Sequence, residues 1–208
     1  MKRLLLSNAA AAFAAALLST SALAAPFTVT DVAMPKTDTL TITGPISPIT
    51  AYVGQFVLTT SVGIFPAWCI DLYHDIGLGG GQSLQYEFLP LAGASDGNGG
   101  TLSPDQAGRI AGLMEYGDAL LAQGGTNDDS AAIQLAIWSI EYPGFTYDGN
   151  ATLDSMVATD LALGLFEDGS AVVALDGHQG LARYIPEPMS LAMLGSALIG
   201  LGAVRRQS

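Results

Sequence analysis

Hydrophobic and polar positions follow different rhythms along the chain. Residues 4–18 and 189–204 are aperiodic apolar runs, one near each end. From residue 27 to residue 65 Thr, Val and Ile dominate, interrupted by Pro35, Gly44-Pro45, Pro48 and Gly54. β-Branched runs bounded by such breakers predict several short strands. Residues 67–73 and 85–91 predict two more, with a turn over the glycines of 77–81. The period then lengthens. Ser103-Pro104-Asp105-Gln106 combines a cap, a proline at the first helical position, a first-turn acid and a capping-box glutamine, and predicts a helix to about Gln123, stopped by Gly124-Gly125. A second helix begins near Asn127-Asp128-Asp129, carries Ile133, Ile137 and Ile140 on one side, and closes at Pro143. A third is expected over 152–166, and residues 172–175 and 181–184 read as closing strands. Strands first and helices later, without an internal repeat, predict a single α+β domain over 25–185: a β-rich N-terminal part, two or three helices, then closing strands.

The terminal runs read as addresses. Met1-Lys2-Arg3 is a short positive start to the first run, and Ala22-Leu23-Ala24 supplies a small-x-small processing pattern, so residues 1–24 read as a secretory signal peptide cut after Ala24 by signal peptidase. The second run lies between Pro186-Glu187-Pro188 and Arg205-Arg206. Its sixteen uncharged residues would make about 24 Å of helix, enough to hold a chain in a membrane only marginally, with the arginines on the cytoplasmic side. In the order of its parts, Ile-Pro-Glu-Pro, an apolar glycine-bearing helix and a closing Arg-Arg, the tail over 185–208 resembles the PEP-CTERM sorting signal. That resemblance implies an exosortase-type membrane protease as partner, a Gram-negative setting rich in exopolysaccharide, and release or re-anchoring at the cell surface, outer membrane or extracellular matrix. A permanent C-terminal anchor predicts the same topology.

Composition sharpens what lies between. Of 208 residues 12% are charged, and seven Lys+Arg against nineteen Asp+Glu give −12. Within 25–185 only Lys36, Arg109 and Arg183 are basic against eighteen acids, a net of −15. No basic face can form, which excludes nucleic acid as a partner. The acids are dispersed and suit a solvated shell outside the cell. A single cysteine excludes an internal disulfide framework and a Cys-based zinc cluster.

That cysteine carries the candidate chemistry. An exported chain with one thiol must bury it, pair it between molecules or use it. Cys69 stands in Trp68-Cys69-Ile70-Asp71, a strand-like run. On the second helix, in Ile133-Gln134-Leu135-Ala136-Ile137-Trp138, Gln134 and Trp138 are four apart and share one side. An amide among such apolar neighbours needs a partner if buried. Together the two segments resemble those of the thioester domains of bacterial surface adhesins. The resemblance implies a bond between Cys69 and Gln134, with Asp71 and His74, and also Asp75, as candidates for activating the thiol and Trp138 as support. Formed with loss of ammonia, the bond would react with an amine on a target. The plain alternative is an inert pair, the thiol a small buried hydrophobe and the amide a core hydrogen-bonder.

Other patterns are thinner. Gly93-Ala94-Ser95-Asp96-Gly97 fits a nucleophile elbow with His178 downstream, but Asn98-Gly99-Gly100 follows where a helix should begin. Asp96-x-Asn98-x-Gly100 begins like a calcium loop and lacks the closing glutamate. Asp71, His74 and Asp75 do not make a metal set if they lie on a strand, since i and i+3 then face opposite ways. The sequence therefore predicts an exported, non-enzymatic surface or biofilm-matrix protein without cofactor or metal. Its partners would be an amine-bearing surface target or an exopolysaccharide, with a passive matrix protein as the alternative and a serine hydrolase as the opposing class.

Overall fold

The computed structural model describes residues 26–175 and 177–185. The expected signal peptide and the sorting tail with Pro186, Glu187, Pro188, Arg205 and Arg206 lie outside the described residues. Among the described residues seven strands occur in the order β1 (Phe27–Thr43), β2 (Ile49–Thr60), β3 (Gly63–Cys69), β4 (Gly79–Pro90), β5 (Thr146–Tyr147), β6 (Gly169–Ala174) and β7 (Leu181–Tyr184). Three helices, α1 (Pro104–Ala122), α2 (Asn127–Glu141) and α3 (Ala151–Ala162), fall between β4 and β6.

The predicted α+β class is corrected by the pairing. The sheet runs β2-β3-β7-β6-β4-β1-β5, and an additional β1–β2 pairing closes six of its strands into an antiparallel barrel, with β5 added at the end of β1. Over the described residues the protein is mainly β, a closed barrel with α1 and α2 packed on it and α3 packed on α2. Sequence order suggested separate layers because β6 and β7 arrive after the helices. In space they slot between β4 and β3, which closes the barrel around its circumference.

Several boundaries move for local reasons. Pro35 does not end β1; it sits at a register shift between Ala33 and Lys36, where a missing N–H interrupts no regular ladder. The glycines at 79 and 80 are not a turn but pair with Val32 and Asp31 as the start of β4. β3 ends at Cys69, so residues 70–73, expected as strand, leave the ladder, with a bend over 72–74. The third helix stops at Ala162, short of the expected residue 166.

Both long helices keep their predicted starts. The Ser103 side chain accepts from the Gln106 amide, and Gln106 Oε1 accepts from the Ser103 amide. The Gln106 side-chain amide also donates to the carbonyls of Ile140 and Glu141, so the start of α1 caps the end of α2. At its other end α2 has a box between Thr126 and Asp129. From Ser130 to Trp138 every residue of α2 is buried, as befits a helix enclosed between α1, α3 and the β1–β2 hairpin.

Candidate functional site

Trp68 and Cys69 are adjacent on β3, both buried, and serve different helices. Trp68 packs toward α1, where Gly117 leaves room for its ring: a Cβ there would lie 2.7 Å from the indole. Cys69 is met by α2. Gln134 Oε1 accepts from the Cys69 amide at 2.9 Å, and Gln134 Nε2 donates to the Cys69 carbonyl at 2.9 Å.

Register explains this seat. β2 and β3 pair from Thr60–Gly63 to Phe56–Ala67, and two further steps in that register would set Gln55 against Trp68 and then Gly54 against Cys69. The strands part before reaching it. The side-chain amide of Gln134 takes the vacated place and supplies the donor and acceptor that a neighbouring strand would have supplied. One turn earlier on α2, Ser130 accepts from the Gln55 amide in the same parting. Gly54 stands at φ +152°, and a Cβ there would lie 2.5 Å from the Lys36 carbonyl and 2.7 Å from Ser130 Oγ. The close approach of α2 to β2 thus requires glycine.

Around the thiol, hydrogen bonds come mainly from backbone and amides. Cys69 Sγ donates to the Asp71 carbonyl at 3.2 Å and accepts from Gln179 Nε2 at 3.1 Å. Gln179 Nε2 is also 3.0 Å from the Asp71 carbonyl. The thiol titrates far above its ordinary range, because burial disfavours the thiolate and the charges of Glu141 and Asp71 add to that. The sulfur is therefore a neutral thiol at physiological pH, and any proton it gives up must be taken within the site.

Asp71 and His74 do meet, since the backbone between them turns: His74 Nδ1 lies 2.7 Å from Asp71 Oδ2. The other bonds of the Asp71 carboxylate accept from the amides of Tyr73, His74 and Gly180. Its carboxylate thus organises the loop, while its backbone contacts the thiol. Asp75 is exposed on the same loop. Trp138 is buried beside the sulfur; among the described residues its indole N–H has no well-aligned acceptor, and its influence favours the thiolate.

Glu141 was not anticipated, although its spacing could have revealed it. Gln134, Trp138 and Glu141 stand at i, i+4 and i+7 on α2, one helical stripe. Glu141 is buried, and neither carboxyl oxygen has a hydrogen-bond partner among the described residues. Burial, then the charges of Asp96 and Asp71, raise its carboxyl well above the usual range. Tyr142 follows, its hydroxyl accepting from the Leu72 amide and donating to the Asp96 carbonyl, which ties the loop after β3 to the 93–101 loop. Gln179 had no signal in the sequence at all.

A cavity of about 190 Å³ opens onto this cluster. Cys69, Gln134, Trp138 and Gln179 lie along it, β2 forms one wall and the loop from His74 to Leu78 another.

The remaining sequence candidates do not assemble. After Ser95 the chain turns, Gly97 donates to Ser95 Oγ, and Ser95 bridges to Thr101, so no helix follows the serine as an elbow demands. Asp96 Oδ1 accepts from the amides of Asn98 and Gly100, a carboxylate capping its own turn. Among the described residues no group of three or more metal-ligating side chains gathers, and no helix is long and apolar enough to cross a membrane.

No protein-family model and no curated protein matches the chain. Among solved structures, the N-terminal thioester domain of fibronectin-binding protein SfbI from Streptococcus pyogenes is similar at 12% identity and a TM-score of 0.41, over 64% of this chain and 86% of that one. Overlap of that degree transfers no role, and the chemistry of the site rests on its own geometry.

Proposed function

We propose that the protein is an exported surface or matrix protein whose barrel forms an internal Cys69–Gln134 thioester and uses it to attach covalently to an amine. The supporting observation is the seat of the Gln134 amide on the backbone of the lone cysteine, two bonds of 2.9 Å beside a cavity. An amide is a poor electrophile, and holding it on the backbone of the residue that carries the thiol supplies the proximity the reaction needs. The Cys69 amide, donating to Gln134 Oε1, polarises the carbonyl and would hold the oxyanion that forms.

In the first step Cys69 Sγ bonds to Gln134 Cδ, the Cδ–Nε2 bond breaks, and the thiol proton leaves with the nitrogen as ammonia. In the second an amine bonds to Cδ, the C–S bond breaks, and the proton lost by the amine returns to sulfur. The Glu141 carboxyl, its pKa raised by burial, and the Trp138 indole N–H are the buried polar groups on the Gln134 stripe that could assist these transfers. Each chain consumes its bond once, so the protein does not turn over as an enzyme and needs no cofactor. The signal peptide and the PEP-CTERM-like tail carry the proposal of export by signal peptidase and sorting by an exosortase-type protease.

Intact-mass spectrometry of the purified domain tests this reading. The expected mass is one ammonia below that of the sequence, with methylamine adding its full mass and both effects lost in Cys69→Ala. An unreduced mass that methylamine leaves unchanged supports the inert pair instead, and with it a passive matrix protein.

A further inference from the structure

The same parting of β2 and β3 that admits Gln134 leaves a second consequence. β2 pairs with β1 along its whole length, but with β3 only from Phe56 to Thr60. Among the described residues no strand pairs with the other side of β2 over residues 49–53. That stretch walls the cavity leading to Cys69 and Gln134. It is also open to solvent: Ile49 is 42% exposed and Tyr52 59%, and Leu78 across the cavity is 48% exposed. An unpaired edge offers main-chain donors and acceptors to any extended polypeptide, and apolar side chains at its rim give alternate residues of such a strand something to cover.

Charge points the same way. The domain carries −15 over 25–185, and Asp75 stands at the cavity wall. Of its three basic side chains, Lys36 is spent on the Leu121 carbonyl and Arg183 lies over the ring of Phe65. A basic segment would be drawn to this face.

We infer that the amine is delivered by β-augmentation: an extended, lysine-bearing polypeptide adds as a strand to β2 over residues 49–53 and lowers its lysine into the cavity onto the Cys69–Gln134 bond. This rests on the thioester reading proposed above and assigns its partner class, a polypeptide rather than a sugar polymer. The lysine Nζ bonds to Gln134 Cδ, the C–S bond breaks, and the Nζ proton passes to Cys69 Sγ, leaving an isopeptide bond. Docking makes the encounter effectively intramolecular, so a fitting strand should outpace a free amine.

The test uses the full domain and four probes: an acetylated Thr-Val-Thr-Lys-Thr-Val-Thr amide, the same peptide N-methylated at alternate residues, methylamine, and a glucosamine oligomer. Adducts are counted by intact mass over time. The parent peptide should react about tenfold faster than methylamine, and N-methylation, which removes edge hydrogen bonds and spares the amine, should abolish the advantage. Equal rates for both peptides and methylamine, or preference for the sugar oligomer, overturn the inference while the thioester stands. A second arm separates docking from chemistry. In Cys69→Ala and Cys69→Ser, which cannot react, the parent peptide should slow hydrogen exchange at residues 49–53, and no slowing in either variant overturns docking by itself. If the edge amides are instead protected without peptide in a concentration-dependent dimer, the occupant is a second copy of this chain and the inference falls.

Discussion

Trp68 and Cys69 offer two solutions to one problem, how a buried strand end meets a helix. On the Trp68 side, Asp118 of α1 accepts from the Trp68 indole at 3.0 Å and from Gln55 Nε2 at 2.7 Å. Side chains satisfy side chains, and the cluster is closed. On the Cys69 side, Gln134 spends its amide on the backbone of the residue that carries the thiol, and two buried polar groups, the Trp138 N–H and the Glu141 carboxyl, stay without well-aligned hydrogen-bond partners among the described residues. A fold optimised only for stability tends to satisfy such groups. Unsatisfied donors and acids gathered on one stripe around a nucleophile mark the second cluster as the one suited to chemistry.

Substitutions can break this contrast. Gln134→Ala should have the largest effect, about 3 kcal/mol of stability by denaturant unfolding, because the Cys69 N–H and C=O would both be left buried and unpaired. The same variant should show no loss of ammonia. Gly117→Ala should cost about 2 kcal/mol by pressing on the Trp68 ring, yet leave the mass signature of the Cys69 side intact. Equal damage to both readouts would show that the two clusters are not separable.

The third expectation concerns pH. Burial lifts Asp118 and Asp160 to about 6 from an ordinary 3.8. A carboxyl whose pKa is raised on folding stabilises the fold fully below its unfolded value and loses that contribution as pH rises through its folded value. The melting temperature should therefore fall between about pH 4 and pH 6 and level off above, on the order of 3 °C per group. Asp118→Asn should flatten part of that slope without altering the mass signature. Smallest is His74→Ala. His74 is 42% exposed and its partner is an Asp71 carboxylate already bonded by three amides, so thermal melting should register less than about 1 kcal/mol.

Local signals were legible where local physics decides. The Ser103 box, the Gly124 stop and the Pro143 stop were readable because caps and breakers act within a few residues. The pairing of Cys69 with Gln134 came from a resemblance, and the structure seats the two together. What could not be read was the geometry that makes the seat. Nothing near Gly54 announces that β2 will part from β3 there, and nothing near Gln179 announces that it will reach a sulfur 110 positions earlier. The strand expected to run on to residue 73 would have set Asp71 and His74 on opposite faces, and the chain's turn after Cys69 is what lets them meet.

Capped helices, a β-branched strand region, an acidic domain, a lone thiol and an apolar run near each end follow from the sequence by itself, since each depends on residue type and short spacing. Barrel closure, the gap between β2 and β3, the free edge over residues 49–53 and the burial of Glu141 belong to tertiary structure alone. Each depends on which distant segments share a ladder, and on the low dielectric they jointly enclose, and neither is encoded within any one stretch of the chain.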